Sequence, residues 1–183
     1  MVYFKRSATV ITCVMAGAVL SHATALSDPP VWIGTGSSQG PDVGSAQPPA
    51  PSDPQTDAAR AGVLELVNNE RAQHGCGALR PDGRLQNAAQ RHSDDMAARS
   101  YFDHRDPDGW MPHQRVVAAG YLWRTIGENI AHGQADAAEV MAEWLSRPGH
   151  RGNILNCAYT DIGIGVHFGT DGPLWTQDFG APL

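Results

Sequence analysis

The sequence predicts an α+β domain in which a small antiparallel sheet packs between helices. Apolar residues recur at helical spacing in several separate segments, most clearly Leu85, Ala88, Ala89, His92 and Met96 at i, i+3, i+4, i+7 and i+11. Only about three segments have strand character, and two of them are the arms of a closing hairpin. Helices interleaved with so few strands bury their stripes best as layers on the faces of one sheet.

The first of the 183 residues are not fold material. Lys5 and Arg6 precede an almost uncharged apolar run, Ser7 to Leu20, and Ala23-Thr24-Ala25 offers small residues at signal-peptidase spacing. Residues 1–25 therefore read as a removable signal peptide. The run is shorter than the roughly 20 residues that span a bilayer, and it lacks the polar face of a core helix. A lipoprotein anchor on Cys13 is discounted, because that cysteine lies inside the run rather than at its end. From residue 26 to 58 Pro, Gly, Ser and Asp dominate, with Trp32 almost the only large apolar group. Such a stretch cannot offset its chain entropy and reads as a disordered linker. Residues 59–183 are left as one domain of ordinary size.

Within the domain, Thr56 or Asp57 can cap a helix running to about Gln73, which Gly75-Cys76-Gly77 ends. The second helix, carrying the stripe above, starts near Pro81-Asp82. Pro107-Asp108-Gly109 and Pro112 mark an irregular loop, where an Asp-Pro-Asp-Gly turn is favoured over a calcium loop. A short helix follows from about Gln114 to Ala119, and Gly120 stops it. Gly127 to Ala131 reads as extended. Asp136 to Ser146 reads as a helix burying Ala137, Val140, Met141, Trp144 and Leu145; Pro148-Gly149 breaks it, and His150 to Leu155 forms one further turn. Ile162, Ile164, Val166 and Phe168 then alternate with Gly163, Gly165 and His167 in a strand that turns at Gly169 to Gly172 and returns through Leu174 to Phe179.

Charge and cysteine usage bound the function. The formal net charge is -6, and loss of Lys5 and Arg6 leaves -8 with no lysine in the remainder. That balance disfavours nucleic acid, which wants a basic stripe, and anionic lipid headgroups. Cys13 leaves with the signal peptide; Cys76 and Cys157 remain as an even pair in a disulfide-permissive compartment. A disulfide is favoured over two separate buried thiols, and a two-cysteine metal site is disfavoured because neither has a cysteine neighbour.

The order of motifs carries more than any one of them. The chain contains Asn68-Asn69-Glu70-Arg71, His92-Ser93-Asp94-Asp95-Met96, Tyr101-Phe102-Asp103-His104 and Arg115 through Tyr121. Gly127-Glu128-Asn129-Ile130-Ala131, Trp144 through Leu155, Ile162-Gly163-Ile164-Gly165 and Trp175-Thr176-Gln177-Asp178-Phe179-Gly180 complete the run. Taken together, over residues 59 to 181, this resembles the bacterial branch of the CAP (SCP) superfamily of cysteine-rich secretory, antigen 5 and pathogenesis-related proteins. The resemblance implies an α-β-α sandwich with a shallow cleft where two histidines meet one or two acids. Matched residue by residue, these are His104, Glu128 and His150. The second acid that many eukaryotic members carry three positions beyond the helix tryptophan falls on Arg147, so it is missing.

The residues themselves leave the chemistry open. His104 and His150 could bind Zn²⁺ or another divalent metal through neutral nitrogens, with Glu128 as third ligand or ring orienter. Glu128 could instead be a catalytic base, or the cluster a structural hydrogen-bond network. No activated nucleophile is present, neither a Gly-x-Ser-x-Gly elbow nor a free cysteine. His92 reads as a hydrogen-bonded core residue, and Trp144 and Trp175 as core. The leading expectation is a monomeric, secreted or envelope-located binding module for a lipid, sterol-like molecule or protein partner, requiring no cofactor. A metal-assisted hydrolase of peptide or envelope polymer comes second and a structural protein with an idle cleft third.

Overall fold

Asp53 opens the part of the chain that the computed structural model describes, residues 53–183. The expected signal peptide and nearly all of the expected linker lie outside it. The Asp53 carboxylate accepts a hydrogen bond from the Thr56 amide and caps α1, Pro54–Gln73. The helix thus starts ahead of the expected Thr56 or Asp57, because Pro54 fits the first helical position, where its ring presets φ and no amide is needed. Residues 54–58 are helical rather than linker.

The remaining elements follow as β1 (Arg80–Pro81), α2 (Gly83–Arg99), α3 (Pro112–Ala118), β2 (Trp123–His132), α4 (Ala137–Ser146), α5 (Pro148–Ile154), β3 (Asp161–His167) and β4 (Leu174–Pro182). Asp82 caps α2 through the amides of Arg84 and Leu85, and Asp136 caps α4 in the same way. α4 ends before Pro148, as expected; after one extended residue, Arg147, Pro148 then begins α5, two residues ahead of the expected His150. The strands form one sheet in the order β1-β3-β4-β2. Its hairpin and β2 are antiparallel, as expected, but β1 adds a two-residue parallel edge on β3 that no periodicity could announce.

The two faces of the sheet differ. On one, α1, α4 and α5 pack with Ile162, Ile164, Val166, Trp175 and Phe179 into a large apolar core around the fully buried Trp144. On the other, α2 lies directly on β3 and β4, and the apolar clusters are small. Gly163 and Gly165 explain the closeness, because the backbone of Leu85-Gln86 and of Ala89-Gln90 occupies the space where their Cβ atoms would stand. Gln90 seals the approach: its amide both donates to the Val166 carbonyl and accepts from the Val166 amide, at 2.9 and 3.0 Å. The α-β-α sandwich is therefore present, with a dry layer and a thin polar one.

Cys76 and Cys157 are joined, closing a loop of 81 positions. Beside them the buried Arg71 guanidinium donates to the carbonyls of Gly77, Ile154, Asn156 and Tyr159, gathering the same segments. Reduction of the disulfide, or its replacement by a serine pair, is expected to lower the unfolding free energy by up to about 4 kcal/mol through the freed chain entropy. Thermal melts with and without reductant check this; an unchanged midpoint would mean that the Arg71 cluster alone fixes these segments.

Candidate functional site

The open edge of the sheet is β2, and the site is built around it. Strand alternation sends Glu128 toward the α2 face and Asn129 toward the opposite one. The carbonyls of Ile126, Glu128 and Ile130, spaced by two, receive hydrogen bonds from Tyr159 Oη (2.9 Å), Asn153 Nδ2 (3.1 Å) and Trp144 Nε1 (3.2 Å). These side chains occupy the edge turned away from β4, so they block addition of another strand. Gly127 is required here: a Cβ would lie 2.5 Å from Tyr159 Oη.

On the α2 face, Glu128 is buried and both its oxygens are engaged. His104 Nδ1, from the loop after α2, donates to Oε1 at 2.6 Å, and Arg115 Nη2, from α3, donates to Oε2 at 2.6 Å. Arg115 also donates to the carbonyls of His104 and Trp110, at 2.8 and 3.1 Å, which fixes the loop that presents His104. That loop is shaped by Asp106, whose carboxylate accepts from the amides of Asp108 and Trp110, the expected turn. His92 Nε2 donates to the Asp103 carbonyl at 3.1 Å and stands 4.0 Å from Glu128 Oε1. It is a core histidine, as expected, and also the floor of the network.

The electrostatics follow from these partners. Burial by itself would raise the Glu128 carboxyl; the hydrogen bond from His104 and the charge of Arg115 outweigh it and hold the group below its ordinary range. The same hydrogen bond lifts His104 above the usual imidazole range. Burial keeps His92 neutral, pushing it down against the attraction of Glu128.

His150 does not join this network. It sits on α5, its carbonyl accepts from Asn129 Nδ2 at 3.1 Å, and its buried Nδ1 has no hydrogen-bond partner among the described residues. Burial and then the charges of Arg147 and His104 push it down, so it faces His104 through charge alone. The structure thus couples His104 to Glu128 and leaves His150 across the strand edge. Among the described residues neither His104 Nε2 nor His150 Nδ1 has a hydrogen-bond partner. Among the described residues no three His, Cys, Asp or Glu side chains converge as a metal site. These residues do not supply the three protein ligands of a catalytic zinc centre.

Two members of the site were not singled out from sequence. Arg115 was quoted only as part of a motif, and nothing in a seven-residue helix indicates that its guanidinium reaches a strand. Asp178 lies directly across from Glu128 in the β2–β4 register. Arg147, which stands at the position of the missing second acid, pairs with Glu143.

A cavity of about 520 Å³ opens between the C-terminal end of α2 and the β3–β4 turn, walled by Met96, Tyr101, Phe102, His132, His167 and Leu174. It is separate from the His104–Glu128 pair. Phe102 is half exposed there. His132 and His167, given no task from sequence, hold its rim through hydrogen bonds to the Asp171 carbonyl and the Asp94 carboxylate.

Comparison with known proteins places this geometry. YkwD of Bacillus subtilis (strain 168) is 41% identical over 117 residues, which are 64% of this chain and 45% of that protein. The membrane protein YlbC of the same organism is 33% identical over 117 residues, 64% of this chain and 33% of that one. The crystal structure of an extracellular protein containing a SCP domain from Bacillus anthracis str. Ames superposes with a TM-score of 0.65 at 29% identity, covering 72% of this chain and 44% of that chain. The chain spans less than half the length of each of these relatives. A family model described as CAP, the cysteine-rich secretory protein family, matches residues 64–179, and the chain belongs to that family.

Proposed function

We propose that the domain is an extracellular binding module whose ligand is a lipid or sterol-like molecule, with a protein partner as the alternative. The observation that carries this reading is the cavity of about 520 Å³, a size suited to a small ligand, with apolar walls from Met96, Phe102 and Leu174. The state of Glu128 supports it against hydrolysis. A general base works best with a pKa near the operating pH, and the bonds from His104 and Arg115 hold the buried Glu128 carboxyl below its ordinary range. Export is supported by the expected signal peptide and the extracellular relative. Among the described residues no helix is long and apolar enough to cross a membrane.

A second reading keeps a metal at the strand edge, on His104 Nε2 and His150 Nδ1, the latter being a buried nitrogen without a partner. A bound ion would supply Lewis acidity there; the chain's own part is to hold His104 in one tautomer through Glu128. One calorimetric experiment addresses both readings. The domain is titrated with a long-chain fatty acid and with Zn²⁺, beside Phe102→Asp and the double variant H104A/H150A. Fatty acid binding is expected to survive the double variant and to weaken at least tenfold in Phe102→Asp. Zn²⁺ binding is expected to be weak and lost only in the double variant. Fatty acid binding that ignores Phe102 would remove the cavity as its site, and tight Zn²⁺ binding would favour the hydrolase.

A further inference from the structure

Among the described residues, Asp178 is a carboxyl of the site layer without a cation of its own. It stands on β4 with Gly163 of β3 on one side and Glu128 of β2 on the other, in one row of the sheet facing α2. Its side chain is fully buried, and neither oxygen receives a hydrogen bond from any donor among the described residues. The group directly across from it in the β2–β4 register is Glu128. Two buried carboxyls side by side, one of them without any donor, do not both stay ionised, so one of the pair must carry a proton. Glu128 cannot be that one without weakening its bonds from His104 and Arg115.

The charged and titratable groups around Asp178 give the same answer. Glu128 faces it from β2 and Arg115 from α3. On α2, His92 lies against Glu128, and Gly163 on β3 offers no side chain. Arg115 is already spent on Glu128, so an ionised Asp178 would bury a second negative charge beside the first with no cation of its own. Burial, and then the Glu128 charge, push its carboxyl well above the usual range.

We infer that Asp178 is a positioning residue of the site: a neutral carboxylic acid that donates its proton to Glu128 and so fixes that carboxylate on His104 and Arg115. The arrangement orders the site from the sheet side, whatever ligand the domain takes, and does not depend on the binding-module reading.

The test is the pH dependence of stability in the wild-type domain and in Asp178→Asn, whose amide keeps the shape and the donor. A neutral native acid facing an ionised unfolded one destabilises the fold increasingly as pH rises above the ordinary carboxyl range. Asp178→Asn removes that term. Its Tm is therefore expected to match the wild type near about pH 4 and to exceed it progressively toward about pH 8. The infrared spectrum of the wild type at neutral pH should also show a protonated-carboxyl C=O stretch, which the variant lacks. The downfield Nδ1–H proton signal of His104 should persist in Asp178→Asn and be lost in Asp178→Ala. A buried, ionised Asp178 gives the opposite results: no such stretch, and an Asp178→Asn variant that loses stability as pH rises. Either of those results, or a His104 signal indifferent to Asp178→Ala, overturns the assignment. The infrared measurement needs no variant, so it decides even if a variant fails to fold.

Discussion

Replacing Gly163 by alanine is expected to cost about 3 kcal/mol or more, enough to leave a domain of ordinary stability largely unfolded on mild heating. A Cβ at Gly163 would stand 2.0 Å from the Leu85 carbonyl carbon and 2.1 Å from the Gln86 amide nitrogen. At Gly165 the corresponding contacts are 2.4 Å to the Ala89 carbonyl carbon and 2.5 Å to the Gln90 nitrogen. All four are backbone atoms, so no rotamer change relieves them; α2 itself must move. That movement would break the Gln90 bonds to Val166 and lift His92 from the Glu128 network. Gly149→Ala is the control, because nothing lies within 4 Å of its Cβ position and it sits in a helix. It is expected to be neutral or slightly stabilising. Denaturant midpoints of the two variants settle the matter, and a G163A midpoint close to wild type would show that α2 can slide on the sheet without cost.

These glycines also mark where the sequence is legible and where it is not. The alternation of Ile162, Ile164 and Val166 with glycine identifies a strand and its apolar face, and that face is the buried one against α1 and α4. The glycine face could equally have been solvent. Only the docking of α2 shows why side chains are absent there. The stripe from Leu85 to Met96 likewise marks the buried side of α2, including His92, because helical periodicity reports burial directly. β1 escaped detection because two residues, one of them proline, have no period. For the site, the motif order pointed to His104, Glu128 and His150 as one cluster; His104 is hydrogen-bonded to Glu128, whereas the bond at His150 runs from Asn129 to its carbonyl. A side chain's second partner, thirteen residues away on another element, leaves no trace in composition or spacing; that is why Arg115 and Asp178 needed coordinates.

The second large effect is expected at Arg115. Its guanidinium is nine-tenths buried and makes the 2.6 Å bond to Glu128 Oε2. Arg115→Ala leaves a buried carboxylate beside Asp178 with only His104 to offset it, and breaking such a pair from one side costs about 3–5 kcal/mol. Lysine does not rescue it fully, since one ammonium cannot bond Glu128 and the two loop carbonyls in the same planar geometry. The pH dependence separates loss of the ion pair from loss of packing. Glu128 is held below its ordinary value of 4.5, so in the wild type its stabilisation is complete above that pH and is lost as pH falls through the lower folded value. His104 is raised from 6.5, so its contribution is complete below that pH and is lost as pH rises through the higher folded value. The charge pair is therefore strongest between the two ordinary values. In Arg115→Ala the larger of the two cations is gone and burial acts on Glu128 with less opposition. The rise in stability on leaving acid pH should flatten, whereas lost packing would lower the whole profile evenly. A double replacement, Arg115→Met with Glu128→Leu, removes both charges and is expected to recover much of the loss. Should the double variant be no more stable than Arg115→Ala, the guanidinium would matter chiefly for the two loop carbonyls that position His104 rather than for the carboxylate.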